Sequence, residues 1–265
     1  MTEPRQPAVI LIGGGALGSI GEMVGDQLLT LGYKLVVIDK QHTSEQLHPF
    51  DIMFLEAELA DSSEIEHAAA AAVDLLARNE MYLAGVVYAA GVNHLGSVDE
   101  LSEARFDDMV TVNAKAVWLF AKALRHNVLV HKYSVVRHSV KTIVLGSNTA
   151  FVAKTRSFGY AFSKAGLVHM LRCMHRELAP EGWEFTSLDF GIVLDSAMTE
   201  KTVKELGEQR GWGKDEALKM LLRNVPNGKP VTRHEIAATV GFMLRPDIQS
   251  FGGSSVRFDG GQQQG

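Results

Sequence analysis

The chain has 265 residues, of which 46% are hydrophobic and 22% charged, and this composition excludes disordered, low-complexity and collagen-like proteins. Its 26 basic and 31 acidic side chains give a net charge of −5, which offers no general attraction to nucleic acid or to an anionic membrane. The sequence holds no run of about 18 uninterrupted apolar residues, so it predicts no membrane-spanning helix. We therefore expect a cytoplasmic protein whose partner is a small molecule.

Cysteine and histidine usage argues against a metal site. A single cysteine, Cys173, excludes an intramolecular disulfide and every multi-cysteine zinc pattern. The ten histidines show no His-Glu-x-x-His arrangement. We expect the Cys173 thiol, which lies within a helical pattern, to fill space in the core.

Short β-branched runs alternate with longer stretches of helical periodicity along the chain. The candidate strands are 9–12, 35–38, 52–55, 85–88, 142–145, 185–188 and 255–258, and the helical patterns include 62–79, 104–128, 158–178 and 233–244. Apolar runs that do not alternate with polar residues are typical of strands buried on both faces of a parallel sheet. The sequence thus predicts an α/β fold, a doubly wound sheet of seven parallel strands with helices on both faces.

The segment from about 196 to 230 differs from the rest because it is polar, helix-forming and without a strand. It lies between the sixth and seventh candidate strands, where an inserted lid would cover a site at the carboxyl edge of the sheet. A solvated helical excursion is the alternative. No linker or internal repeat divides the sequence, so residues 1–265 are predicted to form one domain.

A glycine-rich turn, Gly13 to Gly21, follows the first strand directly and leads into a helical pattern. Glycines let the backbone approach a pyrophosphate closely, and a helix N-terminus offers unpaired N–H groups. Asp39 ends the second strand, where its carboxylate can accept hydrogen bonds from both ribose hydroxyls. A carboxylate there repels a 2′-phosphate, which favours NAD over NADP. Lys40 beside it argues the other way, and an exposed turn carboxylate is the alternative.

Tyr160 and Lys164 are four residues apart in a helical pattern, so they share one helix face. A free tyrosine has a pKa near 10 and is a poor base at neutral pH, but nearby positive charge lowers that pKa. Ser147 follows the fifth strand and lies at the same sheet edge as the glycine turn. Its hydroxyl can bond a substrate oxygen while Tyr160 exchanges a proton, although a turn cap is equally common for such a serine.

Taken together, these residues show that the sequence resembles the short-chain dehydrogenase/reductase family over nearly its whole length. The resemblance is carried by the glycine turn with Asp39, Ala90-Gly91, Asn113, Ser147, Tyr160 with Lys164, Gly191 and the closing Asp259-Gly260-Gly261. It implies a single-domain Rossmann fold, assembled as a homotetramer or dimer, that moves hydride between NAD(P) and an alcohol or carbonyl. It also implies that Tyr160 is the acid/base, Ser147 the donor to the substrate oxygen, Lys164 the ligand of the nicotinamide ribose and Asn113 the holder of a relay water.

The resemblance further implies a set of cofactor contacts. They are Gly14, Gly15, Gly18, Ser19, Ile20, Asp39, Glu58, Leu59, Ala90, Gly91, Tyr160, Lys164, Gly191 and Val193, the last through its backbone. Two registers of the glycine turn remain open, one on Gly15, Ser19 and Gly21 and one on Gly14 and Gly18. No metal is implied.

Three segments depart from the family pattern. The usual Asn-Asn-Ala-Gly is replaced by Tyr88-Ala89-Ala90-Gly91, and the usual Pro-Gly by Phe190-Gly191. Residues Leu129 to Lys141 are expected to form an extra loop.

These changes keep a non-catalytic NAD-binding regulator or scaffold open as a second hypothesis, beside an NADP-dependent carbonyl reductase. An enoyl reductase is disfavoured because its lysine would stand seven residues after the tyrosine, where this chain has Leu167.

The leading hypothesis is an NAD-dependent enzyme acting on a secondary alcohol or ketone. By analogy with the family, the substrate pocket is expected to involve His94, Asn148, Phe151, Ala153, Lys154, Val193 and Met198. The basic residues Lys154 and Arg156 suggest an anionic substrate, and solvated surface charge is the favoured alternative. Trp118, Phe120 and Leu124 are expected either to face a partner subunit or to pack in the core.

Overall fold

The computed structural model describes residues 5–40, 52–130, 136–226 and 228–262. Seven strands of this part form one sheet, and they are β1 (Pro7–Ile12), β2 (Lys34–Asp39), β3 (Ile52–Glu56), β4 (Tyr82–Tyr88), β5 (Val136–Leu145), β6 (Trp183–Phe190) and β7 (Ser255–Phe258). The helices are α1 (Ile20–Thr30), α2 (Ser62–Arg78), α3 (Glu103–Val110), α4 (Ala116–Val130), α5 (Phe158–Leu178), α6 (Ala197–Arg210), α7 (Lys214–Leu222) and α8 (Arg233–Leu244).

All sheet pairings are parallel, and the strand order is β3-β2-β1-β4-β5-β6-β7. This confirms the predicted seven-stranded parallel sheet of a single-domain Rossmann fold. The order reverses between β1 and β4, so the loops after these two strands separate and leave a crevice at the carboxyl edge. Ligands bind at this switch point in open α/β sheets.

The two faces of the sheet are covered by different helices. Side chains alternate along β1, so Ile10 and Ile12 enter a core with α2, α4 and α5, whereas Val9 and Leu11 enter a core with α1 and α8. Burial on both faces explains why the central strands have continuous apolar sequences. In the described part of the chain, no helix is both long enough and apolar enough to cross a membrane.

The predicted continuous helix 104–128 is interrupted by a π-helical turn, Thr111–Lys115, that separates α3 from α4. Contacts from distant segments accompany this turn: the Tyr88 hydroxyl donates to the Val112 carbonyl at 3.2 Å, and Asn113 bonds to the backbone of Val92. Helical periodicity in one segment cannot reveal such contacts. The turn is typical of functional sites.

Two further expectations are wrong. The extra loop expected at 129–141 does not have those bounds, because α4 runs through Val130 and β5 begins at Val136. Residues 131–135 lie outside the described part of the chain. The extra length becomes an irregularity in the sheet, where Leu83 pairs with Val136 and Gly85 with Lys141. Cys173 is exposed, because α5 turns Leu167 and Leu171 toward the sheet and Cys173 away from it.

Candidate active site

A cleft of about 1060 Å³ opens at the carboxyl edge of the sheet. Its walls are the segments that follow β1 to β6, together with α6 and α7. Pockets for small molecules usually measure about 300 to 1,000 Å³, so this cleft can hold a ligand larger than most. A dinucleotide with a substrate is of that size.

The glycine turn forms one end of the cleft. Gly13 has φ +89°, and a Cβ there would collide with the backbone of Ala90. A Cβ on Gly21 would collide with the carbonyl oxygen of Gly13. Ser19 caps α1 by accepting from the Glu22 N–H at 2.9 Å, and the start of this helix, Ile20 and Gly21, lines the cleft.

The expected turn contacts are only partly at the cleft wall. Ser19 and Ile20 line it, as do Gly13 and Gly21, whereas Gly14, Gly15 and Gly18 are not among the described lining residues. These last three shape the turn instead. A Cβ on Gly14 would meet Leu11, the Gly15 N–H donates to Asp39 at 2.9 Å, and the Gly18 N–H donates to Glu22 at 2.6 Å.

Asp39 lies at the cleft wall at the end of β2. Its two carboxylate oxygens accept from the N–H groups of Gly15 and Lys40, at 2.9 and 2.8 Å. These bonds fix the carboxylate and leave lone pairs for a ligand. Glu58 and Leu59, which follow β3, line the same end, and Lys40 forms an ion pair with Glu58 at 3.9 Å.

Ala90 and Gly91 line the middle of the cleft, and Asn113 stands behind them. The Asn113 side chain is buried, accepts from the Val92 N–H at 2.8 Å and donates to the Ser163 hydroxyl at 3.0 Å. It is not among the described lining residues. A Cβ on Gly91 would lie 3.2 Å from Asn113 Oδ1 and 3.7 Å from Lys164 Nζ, so the amide, the glycine and the ammonium are close neighbours.

Ser147 stands after β5 and begins a short 3-10 helix, Asn148–Ala150. Its oxygen accepts from the Thr149 hydroxyl at 2.9 Å, and the Ser147 hydroxyl acts to lower the pKa of the Tyr160 phenol. Because Thr149 supplies a proton to Ser147, the Ser147 hydroxyl is free to donate its own toward Tyr160 or a ligand. Thr149 was not identified from the sequence, although its position two residues after Ser147 suits this role.

Tyr160 and Lys164 lie on the buried face of α5, with the Lys164 ammonium 5.7 Å from the centre of the Tyr160 ring. The ammonium donates to the Leu145 carbonyl at 3.0 Å. Burial raises the pKa of Tyr160 to about 12, against a smaller lowering by Ser147. Burial also lowers the pKa of Lys164 to about 8. The phenol is therefore neutral at pH 7, which differs from the lowered pKa expected from the sequence because desolvation exceeds the effect of the neighbouring groups.

Asp189 is a buried carboxylate near this pair that sequence analysis missed. It is fully buried on β6 and accepts from the hydroxyls of Ser187 and Ser255, at 2.7 and 2.5 Å. It fits because residue 146 is glycine, whose Cβ would overlap the carboxylate. Burial raises the pKa of Asp189, and its charge raises the pKa of both Lys164 and Tyr160.

Gly191 and Val193 follow β6 and line the cleft opposite the glycine turn. Gly191 packs against Asp259, where a Cβ would lie at 3.2 Å. Val193 pairs with Val231 in an isolated parallel bridge that closes the base of the helical segment 196–230. The Val193 carbonyl already accepts from Ser196 at 2.9 Å.

Most of the expected pocket residues line the cleft, namely Asn148, Ala153, Lys154, Val193 and Met198. Two do not. His94 bonds to Asp108 at 2.7 Å, and the Phe151 ring lies 4.3 Å from the guanidinium of Arg257. Helices α6 and α7 complete this half of the cleft with side chains such as Leu206 and Met220.

The fold and the length of the chain are shared with known proteins. Sorbitol-6-phosphate 2-dehydrogenase of Klebsiella pneumoniae is 24% identical, over 97% of this chain and 96% of that protein. The crystal structure of sorbitol-6-phosphate 2-dehydrogenase from Erwinia amylovora superimposes with a TM-score of 0.85 at 19% identity, covering 97% of this chain and all of the other. An actinorhodin polyketide ketoreductase crystallised with NADPH gives 0.83 at 19% identity, covering 97% of each chain.

A family model described as short chain dehydrogenase matches residues 8–207. This chain belongs to the short chain dehydrogenase family of NAD(P)-dependent oxidoreductases.

Proposed function

We propose that the chain interconverts a secondary alcohol and a ketone, with NAD as the preferred cofactor. The observation that carries the proposal is the grouping of Ser147, Tyr160 and Lys164 at one cleft wall, with the Lys164 ammonium 5.7 Å from the centre of the Tyr160 ring. All three side chains come from segments that the sheet topology brings to its carboxyl edge. A phenol, a hydroxyl and an ammonium so arranged can exchange a proton with a substrate oxygen.

The turn at the other end fits a dinucleotide. Gly13 and Gly21 allow a tight turn, because a Cβ at either position would collide with the backbone of Ala90 or of Gly13, and the N-terminus of α1 suits a pyrophosphate. Asp39 would bind the adenosine ribose, Lys164 the nicotinamide ribose, and Val193 the carboxamide. The bound cofactor would supply or accept the hydride.

Proton transfer is then the task of Tyr160. In reduction, its neutral phenol donates a proton to the carbonyl oxygen while the Ser147 hydroxyl donates a hydrogen bond to the same oxygen. The resulting phenolate is stabilised by the Lys164 ammonium, and in oxidation the proton moves the opposite way. Asn113 would complete a relay by holding a water near Lys164, and this part rests on its closeness to the ammonium across Gly91.

Preference for NAD is supported by the fixed carboxylate of Asp39, since like charges brought together cost several kcal/mol. Asp39→Asn keeps the shape and removes the charge. It should lower the ratio of kcat/KM with NAD to kcat/KM with NADP by about 10 to 100-fold. Glu56→Gln, one strand away, is the matched control. An unchanged ratio in Asp39→Asn would refute the assignment, and a wild type that prefers NADP would favour the carbonyl reductase alternative.

Turnover is tested by titrating NADH and then assaying a panel of ketones with NADH and of alcohols with NAD, at the absorbance band of reduced nicotinamide. An oxidoreductase changes this absorbance with at least one pair of substrates. Binding of NADH without any change would favour the regulator or scaffold hypothesis. The reaction is proposed to occur in the cytoplasm, where nicotinamide dinucleotides are recycled, beneath a lid formed by α6 and α7.

A further inference from the structure

The substrate half of the cleft contains a lysine whose ammonium is held in its wall. Lys154 lies between Ser147 and Tyr160 in the sequence, is half-buried and lines the cleft. Its Nζ donates to Asn148 Oδ1 at 3.0 Å, and Asn148 directly follows Ser147. The ammonium is thus adjacent to the residues proposed to handle the reacting oxygen.

Two buried amides fix this ammonium. Asn148 Nδ2 donates to Gln262 Oε1 at 2.7 Å, and both amide side chains are buried. A lysine can only donate, so the oxygen of Asn148 must face it, and the bond to Gln262 holds the amide in that orientation. An ammonium has three donors, and among the described residues Asn148 is the hydrogen-bond partner of this one.

Charge is unevenly distributed along the cleft. Asp39 and Glu58 lie at the glycine-turn end together with Lys40, whereas Arg210 and Arg223 join Lys154 at the other. The carboxylate of Asp108, which also lines the cleft, is paired with His94 at 2.7 Å. Arg156 also lines this half, but Glu100 neutralises it at 2.5 Å. The remaining excess of positive charge in the substrate half attracts anions.

Lys154 has one carboxylate close by. Asp259 raises the pKa of Lys154, against the larger lowering caused by burial. Asp259 is buried, accepts from the Gly261 N–H at 3.1 Å, and is not among the described lining residues. Because Asp259 lies outside the described cleft wall and forms no ion pair with Lys154 in the described part of the chain, the cleft side of the ammonium is open to a ligand.

We propose that the substrate carries a carboxylate or phosphate group that binds the Lys154 ammonium while its ketone or alcohol carbon faces Tyr160. The inference rests on the proposed oxidoreductase function. It adds a class of substrate, compact anionic hydroxy or keto compounds, and it names Lys154 as the residue that selects them.

The test compares matched ketones with and without the anion. One arm uses 3-oxobutanoate and its methyl ester, and the other uses dihydroxyacetone phosphate and dihydroxyacetone, so that the two arms distinguish carboxylate from phosphate. In the arm that carries the anion preferred by the site, carboxylate or phosphate, the wild type should have a kcat/KM about 10 to 100-fold higher for the anionic ketone than for its neutral counterpart, as expected for a charged hydrogen bond. Lys154→Met should bring the ratio of the two kcat/KM values near one, while Lys154→Arg keeps most of the preference.

Lys204→Met is the matched control, because Lys204 is exposed on α6 and is not among the described lining residues. Calorimetric binding of each ketone to the NADH-loaded chain gives the same comparison without turnover. Equal preference in wild type and Lys154→Met, or an equal loss for both members of a pair, would overturn the inference and leave the oxidoreductase proposal standing. Failure to bind NADH would overturn both.

Discussion

At the scale of single side chains, the protonation state of Lys164 controls the proposed proton transfer. Burial lowers its pKa to about 8, so the ammonium is charged below that pH and neutral above it. The titratable groups that face it are Tyr160 and Asp189. Since the charged form stabilises the developing phenolate, kcat/KM for ketone reduction should decline as pH rises through about 8.

Asp189→Asn should move this decline to lower pH. The carboxylate raises the pKa of Lys164, and its removal lets the ammonium lose its proton earlier, while the amide retains an oxygen for the hydroxyls of Ser187 and Ser255. The measurement is a profile of kcat/KM against pH for both proteins. Asp247→Asn, which changes an exposed carboxylate paired with Arg245, serves as the control. If the decline of kcat/KM occurs at the same pH in Asp189→Asn as in the wild type, Asp189 does not set the pKa of Lys164.

The α1 and α5 helices offer a paired test at the scale of elements. A Cβ on Gly21 would collide with the Gly13 carbonyl, whereas a Cβ on Gly166 of α5 would meet open space. Gly21→Ala should lower the free energy of unfolding by about 1 to 3 kcal/mol and weaken NADH binding. Gly166→Ala should raise the free energy of unfolding by about 0.5 to 1 kcal/mol. Urea titration and NADH fluorescence measure both, and changes of the same sign would contradict the packing described.

Local signals explain which elements could be predicted from the sequence. Helix α8 matches its predicted bounds because Thr232 and Glu235 form a capping box at its start. The π turn at Thr111–Lys115 could not be predicted, since it depends on Tyr88 and Ser163, which are distant in sequence. Tyr88 also supplies a bond at a position where the family pattern has asparagine.

The candidate site shows the same division. Residue type and spacing predicted that Tyr160, Lys164 and Ser147 lie at one edge of the sheet, and all three line the cleft. The lining role of Gly13 could not be predicted, because it depends on Ala90 in the segment after β4. Asp189 was missed because a charge in a central strand is unexpected until Ser187 and Ser255 are seen to supply its donors.

At the scale of the whole molecule, aromatic side chains are exposed on α4 and α5, which cover the same face of the sheet. Trp118 is 42% exposed and Phe162 58% exposed, whereas Phe120 and Leu124 are buried in the core. Phe158 is exposed beside Phe162, and both rings lie near Phe106. Such a patch is typical of a protein interface, so we propose that copies of the chain associate through α4 and α5 as a dimer or tetramer.

Phe162→Glu should therefore lower the molar mass measured by light scattering after size-exclusion chromatography, because it places a charge in the apolar interface. Val98→Glu is the control, since Val98 is exposed in the segment between β4 and α3, outside both α4 and α5. A monomeric wild type, or an unchanged mass in Phe162→Glu, would contradict the proposed interface.

The most direct measurement is the turnover of Tyr160→Phe at saturating cofactor, alongside its affinity for NADH. Loss of the phenolic proton donor should reduce kcat by about 10² to 10⁴, equivalent to about 3 to 5 kcal/mol of activation barrier. The affinity for NADH should stay near that of the wild type, because the ring and Lys164 remain in place. Turnover close to that of the wild type would contradict the assignment of Tyr160 as the acid/base.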